Sequence, residues 1–328
     1  MKRSISFVIP NYNGNHLLEK NIPSWIAAAH TSRIDFEIIV VDDASTESPE
    51  PLLKKKFPEI RLIKNNINKG FAPTANAGIL KAKKDLVFLV NNDISIAPDY
   101  FESQFRYFDD PQTFGVMGRI MTEDGSAIRD AAKYPQLGIG GIHATTNYIP
   151  ITTGYNDSLF TFFISGANAL LDRQKIVQIG GLDEAFAPFY NEDVELSLRA
   201  WRLGWTCYYE NQAVCFHPLS TTINSYHKKS DIRVIALRNR MYLNLLHLSR
   251  FSCLIYTGII FTRFLLSWLI IDRTFYRSFF GLCRMGKALK KAKADFKEAT
   301  VKTGTEISLR HVVKRIMDSC TGKEIRKF

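Results

Sequence analysis

Three polar clusters in this 328-residue chain each follow an apolar run: Asp42-Asp43 after EIIVV, Asn91-Asn92-Asp93 after LVFLV, and Glu192-Asp193 after AFAPFY. A carboxylate at the carboxyl end of a strand faces the crevice where open α/β sheets bind ligands. Three such clusters point to one polar site able to hold a metal. The middle cluster is the most telling, because polar groups beside a nearly continuous apolar strand are expensive to bury without a ligand or ion to meet. Hard divalent cations such as Mg²⁺ or Mn²⁺ prefer oxygen ligands, use one or two carboxylates, and complete their shell with water and substrate phosphates. Asp93 is the candidate metal ligand; the plainer alternative is a turn entering IAPDY.

The other clusters also admit two readings. Glu192-Asp193 opens a predicted helix, where the macrodipole favours a carboxylate. That accounts for one acid, whereas two adjacent acids beyond an aromatic run and Gly180-Gly181 also suit a general base facing an acceptor hydroxyl. His217 ends the AVCFH run and is either structural or a further metal ligand. Asp42-Asp43 could cap a helix, with Ser45 close by, or accept the N–H of a pyrimidine base or a ribose hydroxyl. The first turn, PNYNG, offers amides at Asn11 and Asn13 and the Tyr12 ring for stacking a base, but an ordinary Asn-Gly turn reads the same way. In Asn68-Lys69-Gly70-Phe71-Ala72, Gly70 permits an unusual backbone angle and Lys69 could meet a phosphate, with Asn76 on the following helix. The alternative there is a solvated lysine and a helix-facing amide. Neither G-x-G-x-x-G after the first strand nor G-x-x-x-x-G-K-[ST] occurs, so dinucleotide and P-loop readings lose their main support.

The elements that must position these residues alternate. SISFVIP and FEIIVVDD are β-branched runs ending in turn residues, and His16–Ala29 between them has apolar residues at helical spacing. A helix around Pro51–Phe57, the strand IRLIKN, a helix over Thr74–Lys83 and the strand DLVFLVNND complete a βαβαβ order. That order predicts a mainly parallel sheet with right-handed crossovers. Periodicity weakens from Phe114 to Ile164. A helix over Glu192–Leu203 and two strands, WTCYYE and AVCFH, follow, with a soft boundary near Thr222–Tyr226.

Taken in order, VIPNYNG, VVDDAS, NKGFAPTANAGI, FLVNNDI, SGANALLDR, GGLDEAFAPFYNEDVELSLRAWRLGW and a following His resemble glycosyltransferase family 2, particularly its bacterial rhamnosyltransferase-like members. The resemblance covers about residues 4–220. It implies the α/β GT-A fold over residues 1–225, an inverting mechanism, a nucleotide-diphosphate sugar donor and a divalent metal. Mapped onto this chain, it puts Pro10, Asn11, Tyr12, Asp42 and Asp43 around the nucleoside, with Lys69 and Asn76 near them. Asn91-Asn92-Asp93 takes the place of the family's Asp-x-Asp metal motif, with an amide for the first acid and Asp93 on the metal. Asp193 would be the catalytic base with Glu192 beside it, and His217 would lie near the metal or diphosphate. Processive members carry Q-x-x-R-W, which SLRAWRLGW resembles only superficially, so single addition is expected.

Rival classes fare less well. A binding subunit that keeps the fold without turnover leaves Asp93, Asp193 and His217 unexplained. A sugar-1-phosphate nucleotidyltransferase would need a Gly-rich, Arg-containing loop after its first strand, which is absent.

Charge divides the chain. Residues 1–225 carry 21 Lys+Arg against 25 Asp+Glu, and residues 226–328 carry 22 against 7, a local excess of +15. A basic segment can serve nucleic acid or anionic lipid. The apolar run 251–271 inside it favours lipid and argues against a nucleic-acid partner. That run is long enough to span a bilayer, but Arg263 near its centre would cost roughly 2.5–3.5 kcal/mol there and both flanks are basic. Residues 226–328 are therefore expected to be helical and to lie on anionic headgroups, in the membrane plane or re-entrant. The alternatives are packing on the catalytic domain or on a second copy in a homo-oligomer. The five cysteines form no C-x-x-C pair and fit a reducing compartment. MKRSISFVIP reads as a first strand rather than a signal peptide. The expected location is the cytoplasmic face of the cell membrane, with a glycan or lipid-linked glycan as acceptor.

Overall fold

A computed structural model describes residues 3–151, 159–218, 228–267 and 272–328. The amino-terminal half builds the expected alternation: β1 (Ser4–Asn11), α1 (Asn15–Thr31), β2 (Asp35–Asp42), α2 (Glu50–Lys56), β3 (Arg61–Lys64), α3 (Phe71–Ile79) and β4 (Leu86–Val90). Strands β3, β2, β1 and β4 lie side by side and parallel. All five residues of β4 are buried, which is why its sequence is continuously apolar: both faces of a parallel sheet are covered. Along β1 the side chains alternate, Ile5, Phe7 and Ile9 entering one core with Trp25, Phe88 and Phe101, while Val8 enters the other with Val41 and Leu89.

The sheet continues beyond β4 with β5 (Ser95–Ile96), β6 (Thr113–Thr122), β7 (Ile128–Asp130), β10 (Leu159–Phe160), β11 (Asn168–Asp172) and β12 (Thr206–His217). β11 runs antiparallel between β4 and β6, and β12 pairs in parallel with β6. Helices α4 (Arg173–Gln178) and α5 (Glu192–Arg202) precede β12. WTCYYE and AVCFH, expected as two strands, are one strand interrupted by a register shift between Glu210 and Val214. The polar ENQ bulge of that strand looks like a connecting turn in the sequence.

The weakly periodic stretch also holds β8 (Ala132–Gly138) and β9 (Gly141–Pro150). They form a second, three-stranded sheet whose third member, β13 (Ile325–Lys327), comes from the far end of the chain. The expected boundary at Thr222–Tyr226 lies outside the described residues. Beyond it come α6 (Lys229–His247), α7 (Arg250–Ser267), α8 (Arg273–Arg284), α9 (Gly286–Thr303) and α10 (Leu309–Ser319). Met241, Tyr242, Phe296, Val312 and Ile316 from these helices join one continuous apolar cluster with Trp201 and Leu171. Helices of the basic last third thus share a core with the amino-terminal part of the chain.

Candidate active site

The parallel strands deliver their polar ends to one side of the sheet. Asn11, at the end of β1, is buried; its Nδ2 donates to Asp42 Oδ1 (3.0 Å), and its Oδ1 accepts from Asn92 Nδ2 (2.8 Å). Asp42 also accepts from the Ser45 hydroxyl (2.5 Å). The line of side chains from Asn92 through Asn11 to Asp42 ties three strand ends together. Gly14 makes room for it: a Cβ there would sit 2.1 Å from Asn92 Nδ2.

These ends border a cavity of about 340 Å³ lined by Pro10, Asn11, Tyr12, Asp43, Asn91, Asn92, Asp93, Glu192, Asp193 and His217, among others. Of the sequence candidates, Asp42, Lys69 and Asn76 are not on its wall. Asp42 stands behind Asn11, its oxygens taken by Asn11 and Ser45. Asn76 faces away from the cavity, donating to the Leu182 carbonyl (2.9 Å) and Glu184 Oε1 (3.0 Å) and accepting the Leu182 N–H (2.9 Å). Its helix was legible in the sequence, but its tertiary partner 106 residues away was not. The exposed Lys69 stands beside Gly70, which does line the cavity.

Asp43 lines the cavity but is largely satisfied by protein. It accepts from Asn65 Nδ2 (2.8 Å) and from the backbone N–H groups of Lys69 (3.0 Å) and Gly70 (2.8 Å). Its carboxylate therefore shapes the 65–70 loop. Gly70 has φ 87°, and a Cβ on it would fall 2.7 Å from Pro188 Cα, so only glycine lets the two loops meet there. Phe71 N–H donates to the Pro188 carbonyl across the same junction (2.9 Å).

Asp93 and His217 come together from β4 and β12, with Oδ1 and Nε2 3.1 Å apart. Asp93 is nearly buried and His217 is more open. Among the described residues no group of three or more His, Cys, Asp and Glu is close enough to hold an ion. The donor set is one carboxylate and one imidazole at a polar cavity, which suits a divalent cation that draws its remaining ligands from substrate phosphate and water. The residues present fit such an ion on those terms.

Glu192 and Asp193 begin α5 and differ in surroundings. Asp193 is half-buried, with Oδ2 accepting from Gly166 N–H (3.2 Å) and Oδ1 from Val194 N–H (2.8 Å). Enclosure raises its pKa, and those two donors oppose the rise. Glu192 is buried and its Oε2 has no hydrogen-bond partner. Burial, with the Asp193 charge adding to it, pushes the Glu192 carboxyl up to about 8. The cavity also takes Ser165, Gly166 and Ala167, and the aromatic side chains of Phe71, Phe189 and Tyr190. They fall in blocks that carry the family resemblance, SGANALLDR, NKGFAPTANAGI and AFAPFY, but residue type does not single them out for the site, since small and aromatic residues read as turn and core.

The profile of glycosyl transferase family 2 matches residues 6–179, more than half of the chain. The chain belongs to glycosyl transferase family 2. An N-acetylglucosaminyl-diphospho-decaprenol L-rhamnosyltransferase of Mycobacterium tuberculosis is 25% identical over 202 residues, covering 55% of this chain and 66% of that relative. The match thus spans just under two thirds of that protein's length. Among solved structures, GalNAc-T7 with UDP, GalNAc and Mn²⁺ superposes with a TM-score of 0.66 at 13% identity, covering 97% of this chain and 57% of the other. The mannosyltransferase PcManGT from Pyrobaculum calidifontis, in complex with GDP-Man and Mn²⁺, gives 0.53 at 14%, covering 92% and 87%. At these identities the likeness concerns the fold. This family 2 chain has the α/β GT-A fold with a helical extension at its carboxyl end.

Proposed function

We propose that the protein is an inverting, metal-dependent glycosyltransferase. It would move one sugar from a nucleotide-diphosphate sugar to a hydroxyl of a glycan or lipid-linked glycan in cell-surface polysaccharide synthesis. The observation that carries this reading is a single cavity bordered by both the Asp93–His217 pair and the Glu192–Asp193 pair. The names of the mycobacterial relative and of the two structural neighbours support the donor and acceptor classes.

In this reading Tyr12 and Asn11 border the nucleoside, and Asp43 shapes the loop that brings Lys69 to the rim. Asp93 and His217 would hold a divalent ion together with diphosphate oxygens. Such an ion, when bound, neutralises charge developing on the leaving group. Asp193 takes the proton from the acceptor hydroxyl as that oxygen bonds to the anomeric carbon from the face opposite the diphosphate. The bond from that carbon to the phosphate oxygen breaks, the nucleoside diphosphate leaves with the electron pair, and the configuration inverts. Glu192, protonated at neutral pH, leaves Asp193 as the basic member of the pair.

The chain would work on the cytoplasmic face of the cell membrane. Supporting this, α7 is long and apolar enough to cross a bilayer by length and composition, yet only 17% of it is buried. Phe251, Leu254, Phe261, Leu265 and Leu266 are exposed along it. The +15 excess of residues 226–328 suits anionic lipid and disfavours pairing this face with a second copy.

Screening the purified chain for hydrolysis of UDP-, GDP- and dTDP-sugars tests the transferase reading. We expect one donor class to be turned over with Mn²⁺ or Mg²⁺ and spared with chelator. Absence of turnover across the panel, with or without candidate glycan acceptors, would overturn it.

A further inference from the structure

The loop that carries the catalytic pair is unusual. Tyr190 and Asn191, neither of them glycine, hold φ 76° and 70°, and Glu192 follows at once. Side chains other than glycine rarely adopt that region, and such residues persist only where their surroundings fix them. The fixing groups are identifiable from the carbonyls of residues 186–190, all five of which are accounted for. The two N–H groups of Asn239 Nδ2 are shared among the carbonyls of Phe186 (2.8 Å), Phe189 (2.9 Å) and Tyr190 (2.8 Å), and Arg238 Nη2 donates to Ala187 (2.6 Å). Only Pro188 is served from elsewhere, by Phe71 N–H.

Two adjacent side chains on α6, about fifty residues downstream, therefore hold four of five consecutive carbonyls. Asn239 is fully buried, and Arg238 Nε donates to its Oδ1 (2.9 Å), which turns the amide nitrogen toward the loop. Arg238 is itself confined by α8: a Cβ on Gly281 would lie 3.1 Å from its Cδ. α6 and α8 are further joined through the Ser278 hydroxyl and the Val234 carbonyl (3.0 Å).

We propose that Arg238 and Asn239 are positioning residues, which hold the 186–191 loop in its left-handed turn and so set Glu192 and Asp193 against the cavity. This rests on the transferase reading for its kinetic consequence, but not for its structural one. Neither residue lines the cavity; they act through the loop. The basic carboxyl-terminal segment is then part of the active-site scaffold, and a chain cut before α6 would present the catalytic pair on an unsupported loop.

The test uses the full chain carrying Asn239→Ala, compared with wild type by hydrogen exchange and by kinetics on whichever nucleotide sugar is turned over. We expect exchange of the amides in 186–195 to rise by about tenfold or more while the remainder of the chain keeps its protection. We also expect kcat to fall by about 10²-fold with the donor KM unchanged, the pattern of misplaced catalytic groups. Arg238→Met, which removes the Ala187 bond and the Nε bond that orients Asn239 but leaves the Asn239 amide in place, should show the same pattern more weakly and serves in place of Asn239→Ala if that variant does not fold. Unchanged exchange in 186–195, or a uniform rise across the whole chain, would overturn the proposal. So would a loss expressed only in donor KM. If wild type turns over no donor while 186–195 is selectively loosened in the variant, the transferase reading falls and the clamp stands.

Discussion

Glu192 and Asp193 are neighbours in sequence but unlike in chemistry. Asp193 keeps two backbone N–H donors, whereas Glu192 Oε2 is buried without one. The Glu192 carboxyl therefore holds its proton to about 8, against an ordinary value of 4.5. With the folded pKa above the unfolded one, the folded state binds the extra proton between those values, so this group loses stability as pH rises through that range. Glu192→Gln should accordingly raise Tm, slightly at pH 5 and by about 2 °C or more at pH 8. A Tm difference that stays flat across this range, followed by calorimetry, would contradict the assignment. Asp42 and Asn76 carry a second lesson at this scale. Both have residue types suited to a nucleoside, and both are committed to protein partners that sequence spacing does not reveal.

At the scale of elements, β1, β2 and β4 were legible because burial on both faces writes a continuous apolar run. α5 was legible from its charge and apolar pattern. The region from Phe114 to Ile164 was not, because β9 depends on β13, some 175 residues later, a pairing that no local pattern reveals. The basic character of α6 is plain in its residues, but Arg238 and Asn239 act on backbone carbonyls, which no side-chain pattern announces. α7 shows the converse. Its seam of Tyr256, Ile260, Phe264 and Ser267 packs inward at helical spacing, while Phe251, Leu254, Phe261, Leu265 and Leu266 face outward. We expect the wild-type chain to sediment with vesicles containing anionic lipid and to stay in solution with neutral ones. A variant with Phe251→Ser, Leu254→Ser and Leu265→Ser should lose that binding without losing Tm. Equal binding to both vesicle types, or loss of a dimer instead, would refute the lipid assignment.

Across the whole molecule the cavity draws its polar residues from different parts of the chain: Asn11 from the end of β1 and Asp43 from just beyond β2, Asp93 and His217 from the turn after β4 and the end of β12, and Glu192 and Asp193 from the start of α5. The shared core with α6 to α10 holds these parts together, so residues 1–225 and the basic last third are packed as one body. In the proposed reading labour is divided: Asp93 serves donor binding and Asp193 serves the chemical step. The most direct measurement is calorimetric titration of Asp193→Asn and Asp93→Ala with the turned-over nucleotide sugar and Mn²⁺, alongside transfer rates. Asp193→Asn is expected to bind donor as wild type does and to lose transfer by about 10³-fold or more, while Asp93→Ala is expected to lose Mn²⁺-dependent binding itself. Transfer by Asp193→Asn at the wild-type rate, or undiminished Mn²⁺-dependent binding by Asp93→Ala, would contradict it.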